Sequence, residues 1–321
     1  MGKKIILDCD PGYDDAVALF LAHGHPDIEL LAVTTVVGNQ TLEKVTRNAL
    51  SVARIIKMEN VTFAAGCTQP LVKPIHTAAE IHGESGLDGP VLPEPHLRLS
   101  LRHAVDVIIE TILSQPKDSV TLVPTGGLTN IAMALRKEPK IIDRVREVVL
   151  MGGAIRGGNA TPCAEFNIYI DPEAAEIVFN AGWKVTMIGL DVTHKALATL
   201  PIRNQIRQID TGPARFLSDL LGFFSEKYQK VHGFDAPAIH DPCAVAYVIN
   251  PDLFTVQQAP ISIETQGKHT TGMTVVDLRH RPPATCQTYV ATDINSEAFW
   301  ALIVEAMQHI GEGDAEACKI Y

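Results

Sequence analysis

Four aspartates, Asp8, Asp10, Asp14 and Asp15, lie within eight positions near the start of the chain, directly after an aliphatic run. Two like charges about 4 Å apart repel by roughly 4 kcal/mol at an effective dielectric constant near 20. The acids therefore either point to solvent and a helix N-terminus, or gather around a cation. Ligands that are all oxygen atoms favour calcium or magnesium over zinc. The cluster thus predicts either a helix start or a site for a hard divalent cation.

A second candidate for chemistry is the His-Asp-Pro sequence at residues 240–242. Asp241 before Pro242 is typical of a helix N-cap followed by proline at the first helical position, which would need no chemical role. If this helix begins at the same cleft as the aspartate cluster, Asp241 completes a metal shell. His240 then becomes a titratable acid above the cavity. The two interpretations stay open at this point.

Three further segments carry polar residues in irregular, glycine-rich surroundings. Asn159, Glu165 and Asn167 fall in a segment typical of a solvated loop, although clustered amides and carboxylates also suit sugar hydroxyls. Residues 82–90 form a glycine-rich stretch that is either a flap, with His82 within reach of a ligand, or a surface turn. Gly126-Gly127 lacks the lysine of a phosphate-binding loop, so that match is weak.

The elements that position these residues alternate between strand and helix. Val- and Ile-rich runs at residues 3–8, 28–36, 61–66, 119–125, 146–153 and 184–191 predict buried strands. Helical patterns at residues 14–24, 40–58, 101–115, 128–138 and 171–182 lie between them. Beyond residue 200, helices are predicted at 213–229, 240–250 and 296–311, and strands at 259–265, 272–278 and 288–292.

This alternation predicts an α/β fold, Rossmann-like, with a mainly parallel central sheet, helices on both faces and C-terminal helical and strand elaboration. We expect a single domain over residues 1–321, because no linker or repeat divides the chain. In such sheets ligands bind beyond the carboxyl ends of the strands. The polar residues fall at those ends, so we expect the site there.

Composition excludes several classes of protein. The net charge of −10 argues against nucleic-acid binding, which calls for a clustered basic face. No apolar stretch approaches the roughly 18 residues of a membrane span, and no secretory apolar region is present. The six cysteines are scattered without a C-x-x-C pair, as is typical of proteins whose cysteines stay reduced thiols. We therefore expect a cytoplasmic protein without a membrane partner.

The chain resembles the inosine–uridine preferring nucleoside hydrolase family, in its base-nonspecific branch. The resemblance covers nearly the whole length and rests on DCDPGYDDA, TTVVGNQT, IHGESG, TLVPTGGLTNIA, VVLMGGA, GNATPCAEFNIYIDPEAA, GLDVTH, HDPCAVAYVINP and GMTVVD. It implies an enzyme that hydrolyses the N-glycosidic bond of purine and pyrimidine ribonucleosides, of the inosine and uridine type, in nucleoside salvage and catabolism. The products would be ribose and the free base.

The resemblance also implies roles for individual residues. One Ca²⁺ per subunit would be held by Asp10, Asp15, Asp241 and the carbonyl of Thr125, and Asp10 would activate the attacking calcium-bound water. His240 matches the leaving-group acid. The substrate contacts would be Asp14 and Asn167 at the ribose diol, Asn39 beside the water, Met151, Asn159 and Glu165 at the 5′-hydroxyl, and Ile81, His82, Phe166 and Tyr228 around the base. The family also implies a homotetramer or a homodimer.

Some questions stay open after the resemblance. Residues 231–238 depart from the family, so base contacts from that segment are undetermined, as is the preference for purines or pyrimidines. A haloacid-dehalogenase-like phosphatase would use Asp8 as nucleophile, although Gly12 stands where Thr or Val is usual. A ribose- or nucleoside-binding protein without catalysis would need neither Asp10 nor His240.

Overall fold

A computed structural model of the chain describes residues 2–233 and 235–317, without the side chains of residues 231, 232 and 312–317. The strands are β1 Lys3–Cys9, β2 Ile28–Thr35, β3 Thr62–Ala65, β4 Val120–Pro124, β5 Val145–Met151, β6 Val185–Ile188, β7 Phe254–Gln258, β8 Ile261–Ile263, β9 Thr274–Val276 and β10 Thr288–Ile294. The helices are α1 Tyr13–Gly24, α2 Leu42–Ile55, α3 Ala79–His82, α4 Ala104–Ser114, α5 Thr129–Lys137, α6 Phe166–Ile170, α7 Pro172–Phe179, α8 Leu190–Thr193, α9 Leu200–Arg207, α10 Gly212–His232, α11 Pro242–Ile249 and α12 Ser296–Ala317.

The central sheet has eight strands in the order β3-β2-β1-β4-β5-β6-β10-β7. All neighbouring strands run parallel except β7, which pairs antiparallel with β10 at one edge. Strands β8 and β9 form a separate antiparallel pair. The prediction of a Rossmann-like, mainly parallel sheet with C-terminal elaboration is confirmed.

Helices cover both faces of this sheet, which explains why its strands read as continuous apolar runs. Along β1, Ile5 and Leu7 pack into one core with α1, α2 and α9 to α12, and Ile6 packs into the other core with α4, α5 and α7. Because consecutive strand residues point to opposite faces, each must be apolar when both faces are buried. The rigid sheet between two cores fixes where the strand ends lie.

The structure differs from the sequence-based prediction in its shortest elements. Strand β7, the short helices α3, α6 and α8, and the eight-residue helix α9 were not predicted. Strand β7 reads FTVQQ between two prolines, and only its pairing with β10 makes it a strand. Helices α3, α6 and α8 have four or five residues each, too short to show a helical period. The helix predicted over residues 40–58 is shorter than expected and covers Leu42–Ile55.

Two further observations concern membrane-spanning helices and the state of the cysteines. Among residues 2–233 and 235–317, no helix combines the length and the apolar composition needed to cross a membrane. The described cysteines, Cys9, Cys67, Cys163, Cys243 and Cys286, are all free thiols, and Cys318 lies outside the described residues.

Candidate active site

A cavity of about 130 Å³ opens beyond the carboxyl ends of β1, β2, β4 and β5. Its walls contain every predicted site residue except Asp10 and Asp15, which lie beneath it beside Asp14 and Asn39. The predicted residues that line it are Asp14, Asn39, Ile81, His82, Thr125, Met151, Asn159, Glu165, Phe166, Asn167, Tyr228, His240 and Asp241. The fold therefore brings the predicted residues together at the predicted edge of the sheet.

Three carboxylates meet at the floor of the cavity. One oxygen from each of Asp14, Asp15 and Asp241 lies within 4.8 Å of the others, and all three side chains are buried. Asp14 and Asp15 come from the first turn of α1, whereas Asp241 comes from the start of α11, more than 220 residues later. The groups reach one point because both helices begin at the same end of the sheet.

Asp10 adds a fourth buried carboxylate next to this group. The amide of Asn39 donates to its Oδ2 at 2.7 Å, and its own amide donates to Oδ1 of Asp15 at 3.3 Å. Its Oδ1 is buried and has no hydrogen-bond partner among the described residues. A buried carboxylate oxygen without a partner is expensive unless a cation or a water binds it.

Asp15 stabilises the start of helix α1 and also belongs to the carboxylate cluster. Its Oδ2 accepts from the amide of Gly12, the N-cap residue of α1, at 3.1 Å, and from Nδ2 of Asn39 at 3.2 Å. Its Oδ1 accepts from Oγ1 of Thr125 at 2.9 Å. The carboxylate is thus held in place from three elements of the fold.

Asp241 does not play the capping role that its position before proline allows. It is the residue at the N-cap position of α11, but its side chain makes no capping hydrogen bond. The carboxylate instead points to Asp14 and Asp15. The N-cap interpretation of the His-Asp-Pro sequence is therefore wrong for the side chain, which lies with the carboxylates of Asp14 and Asp15. The role of Asp241 as a metal ligand stays a prediction.

The electrostatics of the cluster call for a positive charge. Burial, followed by the neighbouring carboxylate of Asp15, raises the pKa of Asp14 to about 7 and that of Asp10 well above its usual range. Burial also raises the pKa of Asp15, and burial with the charges of Asp14 and Asp15 raises that of Asp241 well above its usual range. A cation among them reverses both effects by stabilising the ionised forms.

The residues fit a hard divalent cation. Every candidate ligand is an oxygen atom, as calcium and magnesium prefer, and Asp10 offers an oxygen without a partner. The carbonyl of Thr125 accepts from Nδ2 of Asn167 at 2.7 Å and keeps a second lone pair. The structure thus supports a metal site formed by a buried aspartate cluster.

Amides and a buried glutamate line the wall beside the cluster. Glu165 caps α6 by accepting from the amides of Asn167 and Ile168, and it also accepts from the amide of Gly153 at 2.9 Å. Burial raises the pKa of Glu165 to about 7. Asn159 accepts at its Oδ1 from the amide of Phe166 at 2.8 Å, which leaves its NH₂ group available.

Aromatic rings form the opposite wall. The ring of Phe224 stacks on Tyr13, with centroids 4.8 Å apart, and packs edge-on against Tyr228 at 5.3 Å. His82 accepts from the amide of Tyr13 at its Nδ1, and burial lowers the pKa of His82 to about 3. The neutral ring therefore carries its hydrogen on Nε2.

Sequence reasoning missed several residues of this cavity, namely His76, Ala78, Glu80, Ala160 and Phe224. Phe224 stands four positions before Tyr228 on α10, and residues four apart share a helix face. That spacing was the signal that could have found it. His76, Ala78, Glu80 and Ala160 lie in loops or at the edge of α3, where no periodicity marks them.

His240 lies over the cavity and is held at three points. Its amide donates to Oδ2 of Asp14 at 3.3 Å. Its ring Nδ1 lies 2.7 Å from Oγ1 of Thr193, and its Nε2 lies 3.4 Å from the hydroxyl of Tyr228. The ring of His194 packs edge-on against it at 5.6 Å.

Asp8 is placed differently from the other aspartates. It does not line the cavity, and its Oδ1 accepts from Oγ1 of Thr34 at 2.6 Å and from Nδ2 of Asn130 at 2.8 Å. A nucleophile must face the substrate, which Asp8 does not. The phosphatase interpretation therefore has no support in the structure.

The fold and the site together define an α/β enzyme with a metal-binding carboxylate cluster and a cavity for a small, hydroxyl-rich substrate. The profile of the family described as inosine-uridine preferring nucleoside hydrolase matches residues 5–301. The chain belongs to this family. The predictions of the family, of an enzyme acting on N-glycosidic bonds and of ribonucleoside hydrolysis are confirmed.

Individual relatives are similar over almost their whole length. The chain is 57% identical over 313 residues to the inosine-uridine preferring nucleoside hydrolase of Crithidia fasciculata, covering 97% of this chain and 99% of that protein. It is 44% identical over 308 residues to the pyrimidine-specific ribonucleoside hydrolase RihA of Photobacterium profundum, covering 96% and 99%. The solved purine-preferring ribonucleoside hydrolase from Gardnerella vaginalis superimposes with a TM-score of 0.91 at 34% identity, covering 97% and 99%.

Proposed function

We propose that this ribonucleoside hydrolase accepts both purine and pyrimidine ribonucleosides and uses Ca²⁺ held by Asp10, Asp15, Asp241 and the carbonyl of Thr125. The observation that carries the proposal is the convergence of buried carboxylates beside an unpartnered oxygen of Asp10. These groups lie at the floor of a cavity that also contains amides and a histidine. Calcium, when bound there, would neutralise the carboxylates and polarise a water molecule and the ribose hydroxyls.

Asp10 is the general base in this proposal. Its Oδ2 is fixed by the amide of Asn39, while its Oδ1 has no hydrogen-bond partner among the described residues. This oxygen would have one lone pair for the cation and another for the proton of the attacking water. The Nδ2 group of Asn39 donates to the carbonyl of Asp10 and to Asp15, which orients the asparagine beside the water. A positioned base of this kind contributes about 10²–10⁴-fold to the rate.

The ribose lies against the polar wall. Asp14 and Asn167 bind the 2′- and 3′-hydroxyls, and Met151, Asn159 and Glu165 surround the 5′-hydroxyl. These side chains line one continuous surface next to the carboxylate cluster. Cleavage of the bond from C1′ to the base passes through an oxocarbenium-like transition state, and hydrogen bonds that tighten in that state lower the barrier.

The base lies against the rings, and His240 donates a hydrogen bond to it. Ile81, His82, Phe166 and Tyr228 form the wall around the base, and Phe224 joins them in the structure. Apolar and aromatic surfaces accept flat rings of either size, which supports the broad base range. The names of relatives on the same scaffold include pyrimidine-specific and purine-preferring enzymes, so this wall is where preference is set.

The context of the enzyme is also a proposal. The free thiols suit a reducing cytoplasm, and the reaction suits nucleoside salvage and catabolism. We propose one domain and a homotetramer or homodimer, and the largely exposed side chains of Val72, Val91 and Leu101 supply apolar surface for such contacts. Sedimentation analysis of the full chain tests the assembly.

Removal of calcium tests the central claim. Dialysis against a chelator should abolish hydrolysis of inosine and uridine, and added Ca²⁺ should restore it, because the cluster cannot act without a cation. Thermal unfolding at Ca²⁺ concentrations about 100 times the dissociation constant should show roughly 2.7 kcal/mol of added stability. The variant Asp241→Asn should lose most of this response. Full activity in the metal-free protein would contradict the proposal.

A further inference from the structure

Thr193 lies directly behind the ring of His240. It is the last residue of α8, which follows β6 at the same end of the sheet as the cavity. Its Oγ1 lies 2.7 Å from Nδ1 of His240, and the residue is completely buried. Thr193 does not line the cavity, whereas His240 does. The hydroxyl can therefore reach the histidine but not the substrate.

The two nitrogens of His240 face different surroundings. Nδ1 points to Thr193 in the interior, while Nε2 lies 3.4 Å from the hydroxyl of Tyr228, which lines the cavity. The amide of His240 is tied to Asp14, so the backbone cannot turn the ring by itself. The contact with Thr193 therefore decides which edge of the imidazole the substrate meets.

The hydroxyl of Thr193 also decides where the ring carries its hydrogen. Within the described residues, the only hydrogen bond of this hydroxyl is to Nδ1. If the neutral ring donated from Nδ1, the buried hydroxyl hydrogen would lack an acceptor, which is unfavourable. The hydroxyl therefore donates to Nδ1, and the hydrogen of the neutral ring is on Nε2.

We propose that Thr193 is a positioning residue for the leaving-group step, holding His240 by Nδ1 so that Nε2–H faces the departing base. This rests on the proposed role of His240. As the bond from C1′ to nitrogen breaks, its electron pair moves onto the base, and Nε2–H donates a hydrogen bond to the base atom that gains electron density. The hydrogen stays on Nε2, and the released base takes its proton from water. The base need not touch Thr193 for this residue to affect its departure.

The first experiment compares three variants on two substrates. Thr193→Val removes the hydroxyl at nearly constant volume, and Thr193→Ser retains a hydroxyl. Thr186→Val is the matched control, since Thr186 is buried on β6 and its hydroxyl has no partner in the described part of the chain. The substrates are inosine and p-nitrophenyl riboside, whose leaving group departs without a hydrogen donor.

We expect Thr193→Val to lower kcat on inosine by about tenfold, a part of the 10²–10⁴-fold that a positioned acid supplies. Turnover of p-nitrophenyl riboside should stay near that of the unchanged enzyme. Thr193→Ser and Thr186→Val should retain kcat on both substrates. Comparable unfolding temperatures for both valine variants would show that the fold is intact.

The second experiment adds Thr193→Val to His240→Ala. Because Thr193 acts through the histidine, the double variant should be no slower on inosine than His240→Ala alone. A further tenfold loss in the double variant, or equal losses on both substrates for Thr193→Val, would overturn the proposal in favour of a structural role.

The outcomes also separate this inference from the role of His240. Unchanged turnover of inosine by Thr193→Val, together with a loss confined to inosine in His240→Ala, would refute the role of Thr193 alone. Equal losses on both substrates in His240→Ala would refute the leaving-group role of His240 and this proposal with it.

Discussion

The two ends of the cavity are built in different ways. At the carboxylate end, Asp10, Asp15 and Asp241 come from the end of a central strand and the starts of two helices, and backbone amides or hydroxyls hold the first two. At the base end, the rings of His82 from the four-residue helix α3 and of Phe224 and Tyr228 from α10 form a contact chain, and Phe166 completes the wall.

This difference separates chemistry from recognition. Directional hydrogen bonds from residues that follow the strand ends fix Asp10 and Asp15, as metal binding and proton transfer require. Ring contacts are less directional, so different apolar side chains can fill the same wall. We therefore expect changes at the carboxylate end to lower the rate for every substrate, and changes at the base end to alter preference.

Asp10→Asn should give the largest effect. The amide keeps the shape of the side chain and an acceptor for the amide of Asn39, but it cannot take a proton. We expect kcat to fall about 10²–10⁴-fold on inosine and uridine alike, with nucleoside binding largely retained in saturating calcium. Steady-state kinetics and equilibrium binding measure the two effects.

Asp8→Asn is the control for this change. Asp8 is also buried, but it faces Thr34 and Asn130 and does not line the cavity. Its variant should keep turnover within severalfold of the unchanged enzyme. Near-normal turnover of Asp10→Asn, or a change in its inosine-to-uridine ratio, would break the proposed division between the two ends.

Phe166→Ala should change base preference with a smaller effect. The ring is partly exposed at the cavity wall, so its removal leaves the core intact. Alanine substitution of an aromatic ring that stacks on a base loses about 1–3 kcal/mol. We expect kcat/KM to fall roughly 5- to 100-fold, by different factors for inosine and uridine.

The exposed Phe223 provides a matched control, because it lies outside the cavity. Phe223→Ala should leave kcat/KM for both nucleosides unchanged. If Phe166→Ala lowered kcat/KM equally for both nucleosides, the ring would not select between bases, and the comparison of the two ends would lose its main support.

His82→Asn should give the smallest effect, on stability against pH. Burial lowers the pKa of His82 to about 3, below its usual 6.5, so the unfolded chain binds a proton that the native chain does not. Because of this group, the free energy of unfolding should fall by about 2 kcal/mol when the pH is lowered from 7 to 5. Asparagine does not titrate, and its carbonyl can still accept from Tyr13.

Urea unfolding at both pH values measures this difference. Between pH 7 and pH 5, the free energy of unfolding of His82→Asn should fall by about 2 kcal/mol less than that of the unchanged protein. The same substitution at the exposed His96 is the control for replacing a histidine with asparagine. An undiminished loss in His82→Asn would show that the aromatic end does not keep this histidine neutral.

Much of the fold was predictable because it rests on local patterns. The six apolar runs of the parallel sheet and the main helices follow from period and composition, and Asp171-Pro172 starts α7 with Asp171 capping Ala174 as its sequence suggests. Strand β7 was not predictable, because its residues FTVQQ become a strand only through pairing with β10.

The same distinction between local patterns and tertiary contacts applies to the site. The sequence by itself determined which residue types are present, their place after strand ends and the resemblance to a family of nucleoside hydrolases. Base contacts from residues 231–238 stay undetermined, since the side chains of residues 231 and 232 and the whole of residue 234 lie outside the described residues.

Only the tertiary structure decided what those residues do together. In the structure, the side chain of Asp241 lies with Asp14 and Asp15 and does not cap its helix. The structure also places Thr193 behind His240. The physical reason is that local preference depends on neighbours in the chain, whereas convergence depends on how two cores orient helices around one sheet. No local pattern relates residues that lie more than 220 positions apart.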